Sequence, residues 1–95
     1  MGWKLVSIRT SPNSAKKYRA TFKDGEKEKH TEFGAAGMDD YTITHDKEQR
    51  ERYRKRHAKD LDTGDPTRAG FLSYYLLWNK KTLAAAVADY KRRFE

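Results

Sequence analysis

The chain has 95 residues, enough for one domain and too few for a second core or a long structureless linker, so a single domain over residues 1–95 is expected. Hydrophobic residues make up 36% and charged residues 37%, yet two Trp, six Tyr and four Phe are more aromatic content than a disordered polyelectrolyte carries, so the chain should fold around a small core. Lys and Arg number 21 against 14 Asp and Glu, a net charge of +7 that points to a polyanionic or acidic partner, and the lack of cysteine excludes disulfide staples, thiolate zinc sites, thiol nucleophiles and iron–sulfur clusters.

Met1-Gly2 opens like a myristoylation site, but Val6 stands where that pattern needs Ser or Thr. No apolar run approaches the roughly 18 residues of a membrane span, so a soluble, intracellular protein with no membrane partner is expected. Trp3 to Arg9 reads as a first strand with Trp3 and Leu5 on one face and Val6 and Ile8 on the other, followed by a loop over residues 10–14. Lys16 to Gly34 reads as a hairpin turning at Asp24-Gly25, a dipeptide that tolerates positive φ angles. Pairing outward from that turn sets Lys23 opposite Glu26, Thr21 opposite Glu28, Arg19 opposite His30 and Lys17 opposite Glu32 on a solvated face. Tyr18, Ala20, Phe22, Thr31 and Phe33 form the core face, with the stems of Lys27 and Lys29 lying over apolar rings.

Gly34 to His45 reads as irregular. Asp46 followed by Gln49 has the form of a capping box, and a first helix is expected over Lys47 to Asp60. Asp65-Pro66 resembles a second helix start, leading into Ala69, Phe71, Leu72, Tyr75, Leu76 and Trp78 as the central helix. After Asn79, Leu83, Ala86, Val87, Tyr90 and Phe94 recur at spacings of three and four, which predicts a third helix with one buried stripe. The expected fold class is α+β: an N-terminal three-stranded antiparallel meander followed by three helices.

Charge is unevenly spread. Residues 46–60 hold seven basic and four acidic groups, and residues 80–95 hold five and two, so the outer helices carry most of the excess. The first helix offers Arg50, Arg52, Arg54, Lys55, Arg56 and Lys59 to phosphate, with Lys91, Arg92 and Arg93 as a second cluster; arginine suits phosphate because its planar fork binds two oxygens at once. The competing reading is a solvated helix face on which Glu48 with Arg52, and Glu51 with Lys55, pair at i,i+4, and cations near the end of the last helix are favoured by its dipole. Tyr18 and Phe22 are read as core, leaving Tyr41 and Tyr53 as the candidates for stacking on bases.

Catalytic signals are weak. Gly34-Ala35-Ala36-Gly37 lacks the Lys-Ser or Lys-Thr of a phosphate loop. Asp39, Asp40 and His45 could supply ligands to a divalent ion in a nuclease, but no second acidic cluster completes a two-metal site, and Asp46 is accounted for as a helix cap. His30, His45 and His57 are too dispersed for a zinc site, and His57 is expected to pack beside Tyr53. No cofactor, metal or catalytic residue is expected.

Phe33-Gly34, Asp40-Tyr41-Thr42, His45-Asp46, Arg50, Tyr53, Arg56-His57, the run Ala69 to Ser73, the run Leu76 to Lys80, and Thr82-Leu83 together resemble a family of small basic proteins of uncharacterised function associated with large double-stranded DNA viruses of algae and amoebae. The resemblance spans Tyr18 to Leu83. It implies a virion or the cytoplasm or nucleus of a host cell as the setting, and no catalytic residues. Charge and resemblance together lead to the expectation of a non-enzymatic nucleic-acid-binding protein, with DNA ahead of RNA and little sequence preference. A protein–protein or virion-assembly module, with an acidic partner or self-association, is the alternative.

Overall fold

Gly25 and Glu26 form the two-residue turn of the hairpin in the computed structural model, which describes residues 2–95, so Met1 of the lipidation motif lies outside the described residues. Gly25 takes φ +61° and Glu26 a negative φ, the pattern of a turn with glycine first. The turn therefore sits one residue later than expected, and the register shifts by two: Asp24 pairs with Lys27, Lys23 with Glu28, Thr21 with His30 and Arg19 with Glu32. A shift of two preserves every residue's face, because side chains alternate with period two. The expected core face survives: Ala20, Phe22 and Phe33 are fully buried, and the Lys29 ammonium lies 4.9 Å from the Trp3 ring.

The strands β1 (Lys4–Thr10), β2 (Lys16–Asp24) and β3 (Lys27–Ala35) form an antiparallel sheet in the order β1-β2-β3. β1 does not alternate regularly. Its register with β2 jumps between Leu5 and Ser7, leaving Val6 as an extra, half-exposed residue in a bulge. Leu5 and Ile8 consequently share the core face, opposite Phe22 and Ala20, instead of falling on two faces as a regular strand requires.

The segment expected to be irregular holds a four-residue helix, α1 (Tyr41–Thr44), entered through Asp40, whose carboxylate accepts the Thr42 N–H at 2.8 Å, and closed by His45 at φ 54°. Asp46 then caps α2 (Lys47–His57), accepting from the N–H groups of Glu48 and Gln49 at 3.0 and 3.1 Å. The box is half made, since Gln49 bonds the Thr44 hydroxyl instead of the cap backbone. Past His57 the expected helix tightens into 3-10 turns over Ala58–Thr63.

The central helix begins later than the Asp65-Pro66 signal suggests. Asp65 spends its side chain on the N–H and hydroxyl of Thr67, at 3.0 and 2.6 Å, in a turn ahead of the helix. α3 (Ala69–Leu72) follows and widens into a π-helical turn over Ser73–Leu77. α4 (Leu83–Phe94) is capped by the Thr82 hydroxyl, which accepts from the Ala85 N–H at 3.1 Å. Its expected stripe faces inward, with Ala86 and Tyr90 buried and Leu83, Val87 and Phe94 half-buried against the core.

The result is the expected α+β fold, a meander followed by helices, with α1 in addition to the three read from periodicity. Phe22, Phe33, Leu72 and Leu76 meet in the core between sheet and helices, and each fully buried side chain of this kind contributes about 1.5–3 kcal/mol of transfer free energy.

Candidate nucleic-acid interface

Apart from Lys47 at its first position, the Lys and Arg residues of α2 divide into two sets according to what the rest of the chain offers them. Helical periodicity puts Arg50 and Arg54 on one side, facing the carbonyl groups that the π-helical turn leaves unpaired beyond its end. Arg54 Nη1 donates to the Trp78 carbonyl at 2.8 Å and Arg50 Nη1 to the Asn79 carbonyl at 3.0 Å. Each guanidinium also lies over an aromatic ring, Arg54 at 4.2 Å from the Tyr74 centroid and Arg50 at 4.8 Å from Tyr41. Between them Tyr53 stacks on Trp78 at 4.4 Å and, as expected, on His57 at 4.2 Å. Burial of the Tyr53 ring, with Asp60 nearby, raises its hydroxyl above the usual tyrosine range. These arginines hold α2 against the end of the central helix.

Arg52, Lys55 and Arg56 form the other set, with Lys59 following in the 3-10 turns past His57. They recur at i, i+3, i+4 and i+7, all are exposed, and none forms an ion pair among the described residues. The i,i+4 pairs expected from Glu48 to Arg52 and from Glu51 to Lys55 are not made. Glu51 instead accepts from Arg50 Nε at 3.0 Å, which is already drawn to that side by the Asn79 carbonyl. A solvated, self-neutralised face is therefore not what this segment presents: Arg52, Lys55 and Arg56 on α2, and Lys59 in the 3-10 turns after it, stand without an ion pair among the described residues.

Arg52 and Arg56 also form one wall of a cleft of about 580 Å³, with Gln49, Tyr53 and His57. The facing wall comes from the end of the hairpin and the loop behind it: Lys17, Gly34, Asp39 and Asp40. Gly34 has φ +78°, and a Cβ there would stand 2.9 Å from Leu77 Cδ1, so glycine is required where the strand closes on the π-helical turn. Lys17 adds no free charge, because its ammonium is bound to the buried Asp40 carboxylate.

The second basic cluster is partly neutralised. Lys91 is exposed, but Arg92 and Arg93 both donate to Asp89, Arg93 Nε at 2.7 Å, and Arg93 also sits 5.4 Å from the Tyr75 ring. Asp89 is buried at 6% exposure and accepts a further bond from Asn79 Nδ2 at 2.7 Å. Hydrogen bonds from Arg93 and then Asn79 hold its carboxyl far below the ordinary carboxylate range. Asp89 lies four residues before Arg93 on a helix that reads as an apolar stripe with a basic end, and nothing in the local pattern marks it as buried.

The stacking candidates are corrected as well. Tyr41 is 2% exposed and belongs to the core, and Tyr53 has both neighbours of its stack in place. Asp39, Asp40 and His45 are not brought together: Asp40 is committed to Lys17 and to the start of α1, while His45 closes the far end of that helix. Among the described residues no group of three His, Cys, Asp or Glu side chains could hold a metal ion.

None of the described helices is long and apolar enough to cross a membrane. No curated protein and no solved structure matches the chain. The model of DUF5754, a family of unknown function, matches residues 6–57, more than half of the chain, a range that carries the sheet from Val6 of β1 onward together with α1 and α2; the chain belongs to that family.

Proposed function

We propose that the protein binds nucleic acid, DNA ahead of RNA, by contacting backbone phosphates without catalysing a reaction. The observation that carries this reading is the exposed run of Arg52, Lys55 and Arg56 on α2, continued by Lys59 in the 3-10 turns that follow, four cations with no ion-pair partner among the described residues. Two of them, Arg52 and Arg56, are guanidiniums one turn apart, able to grip phosphate oxygens in pairs. Lys91 adds a further free charge, whereas Arg50, Arg54, Arg92 and Arg93 have structural duties and contribute only their field. The resemblance to small basic proteins of large double-stranded DNA viruses supports DNA as the ligand, in a host cell or a virion, and phosphate contact implies little sequence preference.

The test is fluorescence anisotropy of labelled duplex and single-stranded DNA across a salt series. Four neutralised phosphates give a slope of log affinity against log salt of roughly −3.6 on duplex, from about −0.9 per phosphate. Arg52→Glu with Arg56→Glu should weaken binding steeply, and an unchanged affinity in that variant removes α2 from the interface. An acidic protein partner or virion assembly is the second reading, favoured by Met38 and Ile43, two large apolar side chains left 63% and 60% exposed on either side of the start of α1. Concentration-dependent mass in sedimentation, without a nucleic-acid shift, would select it.

A further inference from the structure

The face of the sheet turned away from the helices carries three cross-strand rows. At one end Lys4 of β1 stands across from Lys23 of β2, which in turn meets Glu28 of β3. At the other, Arg9 stands across from Arg19, which meets Glu32. Ser7, Thr21 and His30 form the row between, with the Thr21 hydroxyl 2.9 Å from His30 Nδ1. In both outer rows β3 supplies an anion to the central strand: Arg19 Nε lies 2.8 Å from Glu32, and Lys23 Nζ 3.7 Å from Glu28. Lys4 and Arg9 are exposed and form no ion pair among the described residues, although each faces another cation.

Like charges directly opposite in an antiparallel pair are destabilising. Edge cations do discourage strand-to-strand aggregation, but they do so equally well opposite an anion or a neutral residue, so that role does not account for the pairing. Lys4 and Arg9 are also five positions apart, an odd spacing that puts them on opposite faces of a regular strand. The Val6 bulge brings both onto the open face. It turns Leu5 and Ile8 together onto the core face, Leu5 buried and Ile8 partly so, and it leaves Val6 half-exposed. The four-residue offset between Arg19 and Lys23 separates the rows by roughly 14 Å, the axial advance of about four base pairs of duplex.

We propose that this open sheet face is a second phosphate-binding surface, on which backbone phosphates of a nucleic acid supply to Lys4 and Arg9 the anions that the fold withholds. The choice of nucleic acid as the polyanion rests on the proposed function, but the surface is separate from α2. A protein with phosphate contacts on both its sheet and its helix can engage two segments of duplex, or one segment over a longer track.

The experiment compares Lys4→Gln/Arg9→Gln with Arg52→Gln/Arg56→Gln and with the fourfold variant, by anisotropy of a labelled 20-base-pair duplex across a salt series and by thermal unfolding at low salt without DNA. The sheet variant should lose about 1.8 from the magnitude of the salt slope, two phosphates' worth, and the fourfold variant should show both losses. Removing the unrelieved repulsion should also raise the melting temperature by about 2–6 °C, an opposite sign to an ordinary loss of contact. A sheet variant with the salt slope of the parent protein overturns the proposal, whether or not its melting temperature rises, and so does self-association of that variant with DNA binding intact. A slope lost in the sheet variant and retained in the α2 variant supports the sheet surface while sinking the α2 assignment, so the two readings fail separately.

Discussion

Asn79 Nδ2 donates a 2.7 Å hydrogen bond to Asp89 Oδ2, joining the residue just past the central helix to the middle of α4. Both side chains are buried, and the same carboxylate also accepts from Arg92 and Arg93 one turn later. A carboxylate taken out of water needs its acceptor sites filled, and these three donors fill them. The arrangement fixes α4 against the bend over residues 78–82, which α2 grips through Arg50 at the Asn79 carbonyl and Arg54 at the Trp78 carbonyl.

Replacing Asp89 by Ala should therefore cost about 2–3 kcal/mol, since it strands the buried Asn79 amide and releases both arginines. Urea unfolding followed by tryptophan fluorescence measures this. A loss below about 0.5 kcal/mol would show that the Asn79 amide finds water instead.

Acid should weaken the fold with a defined sign. Asp89 has a folded pKa depressed below its unfolded value of about 3.9, so its stabilisation is complete above about pH 5 and disappears as pH falls through 4 toward the folded value. Glu32, lowered chiefly by the Ser11 hydroxyl and then by Arg19, and Asp65, lowered by Thr67, act in the same direction. Asp89→Asn should flatten the decline of melting temperature between pH 5 and 3, and a decline of unchanged steepness would move its origin to other carboxylates.

The two sets of cations on α2 should separate by phenotype. Arg54→Gln loses the bond to the Trp78 carbonyl and the contact with Tyr74, and should cost about 1–2 kcal/mol of stability with a small effect on DNA affinity. Arg52→Gln should do the reverse, with stability within about 0.5 kcal/mol of the parent and reduced affinity. Paired unfolding and anisotropy measurements on the two variants check both signs, and equal effects on affinity would mean that Arg54 also reaches phosphate.

Local chemistry made much of this fold readable. Gly25 announces the hairpin, Asp46 the start of α2, and the spacing of Ala86 and Tyr90 the buried side of α4. Because faces alternate, even the two-residue error in register left Phe22 and Phe33 in the core. What escaped depends on partners distant in sequence. Arg50 and Arg52 look alike in a basic run, and only the carbonyl of Asn79, 29 residues on, distinguishes them. Asp40 looks like a turn residue until Lys17, 23 residues earlier, is placed against it. α1 is too short, and too rich in Thr and Ile, for any helical period to register, which is why Tyr41 read as exposed. The Val6 bulge has no signature in a strand whose apolar residues occupy both parities, and with it the cation rows of the open sheet face were hidden.

Gly34 is the position where the hairpin, the cleft and the helical layer meet most closely. Its φ of +78° is strained for any residue with a Cβ, and an added Cβ would stand 2.9 Å from Leu77 Cδ1 and 3.3 Å from Lys17 Cβ. Gly34→Ala should cost about 1–3 kcal/mol, combining backbone strain with the displacement of Leu77. Leu77→Ala made in the Gly34→Ala background separates the two: if the clash dominates, the double variant is more stable than the sum of the single losses, by a coupling measurable in urea unfolding. Strict additivity would assign the cost to the positive φ and the Lys17 contact, and a Gly34→Ala variant as stable as the parent would mean that the strand relaxes away from the π-helical turn at no cost.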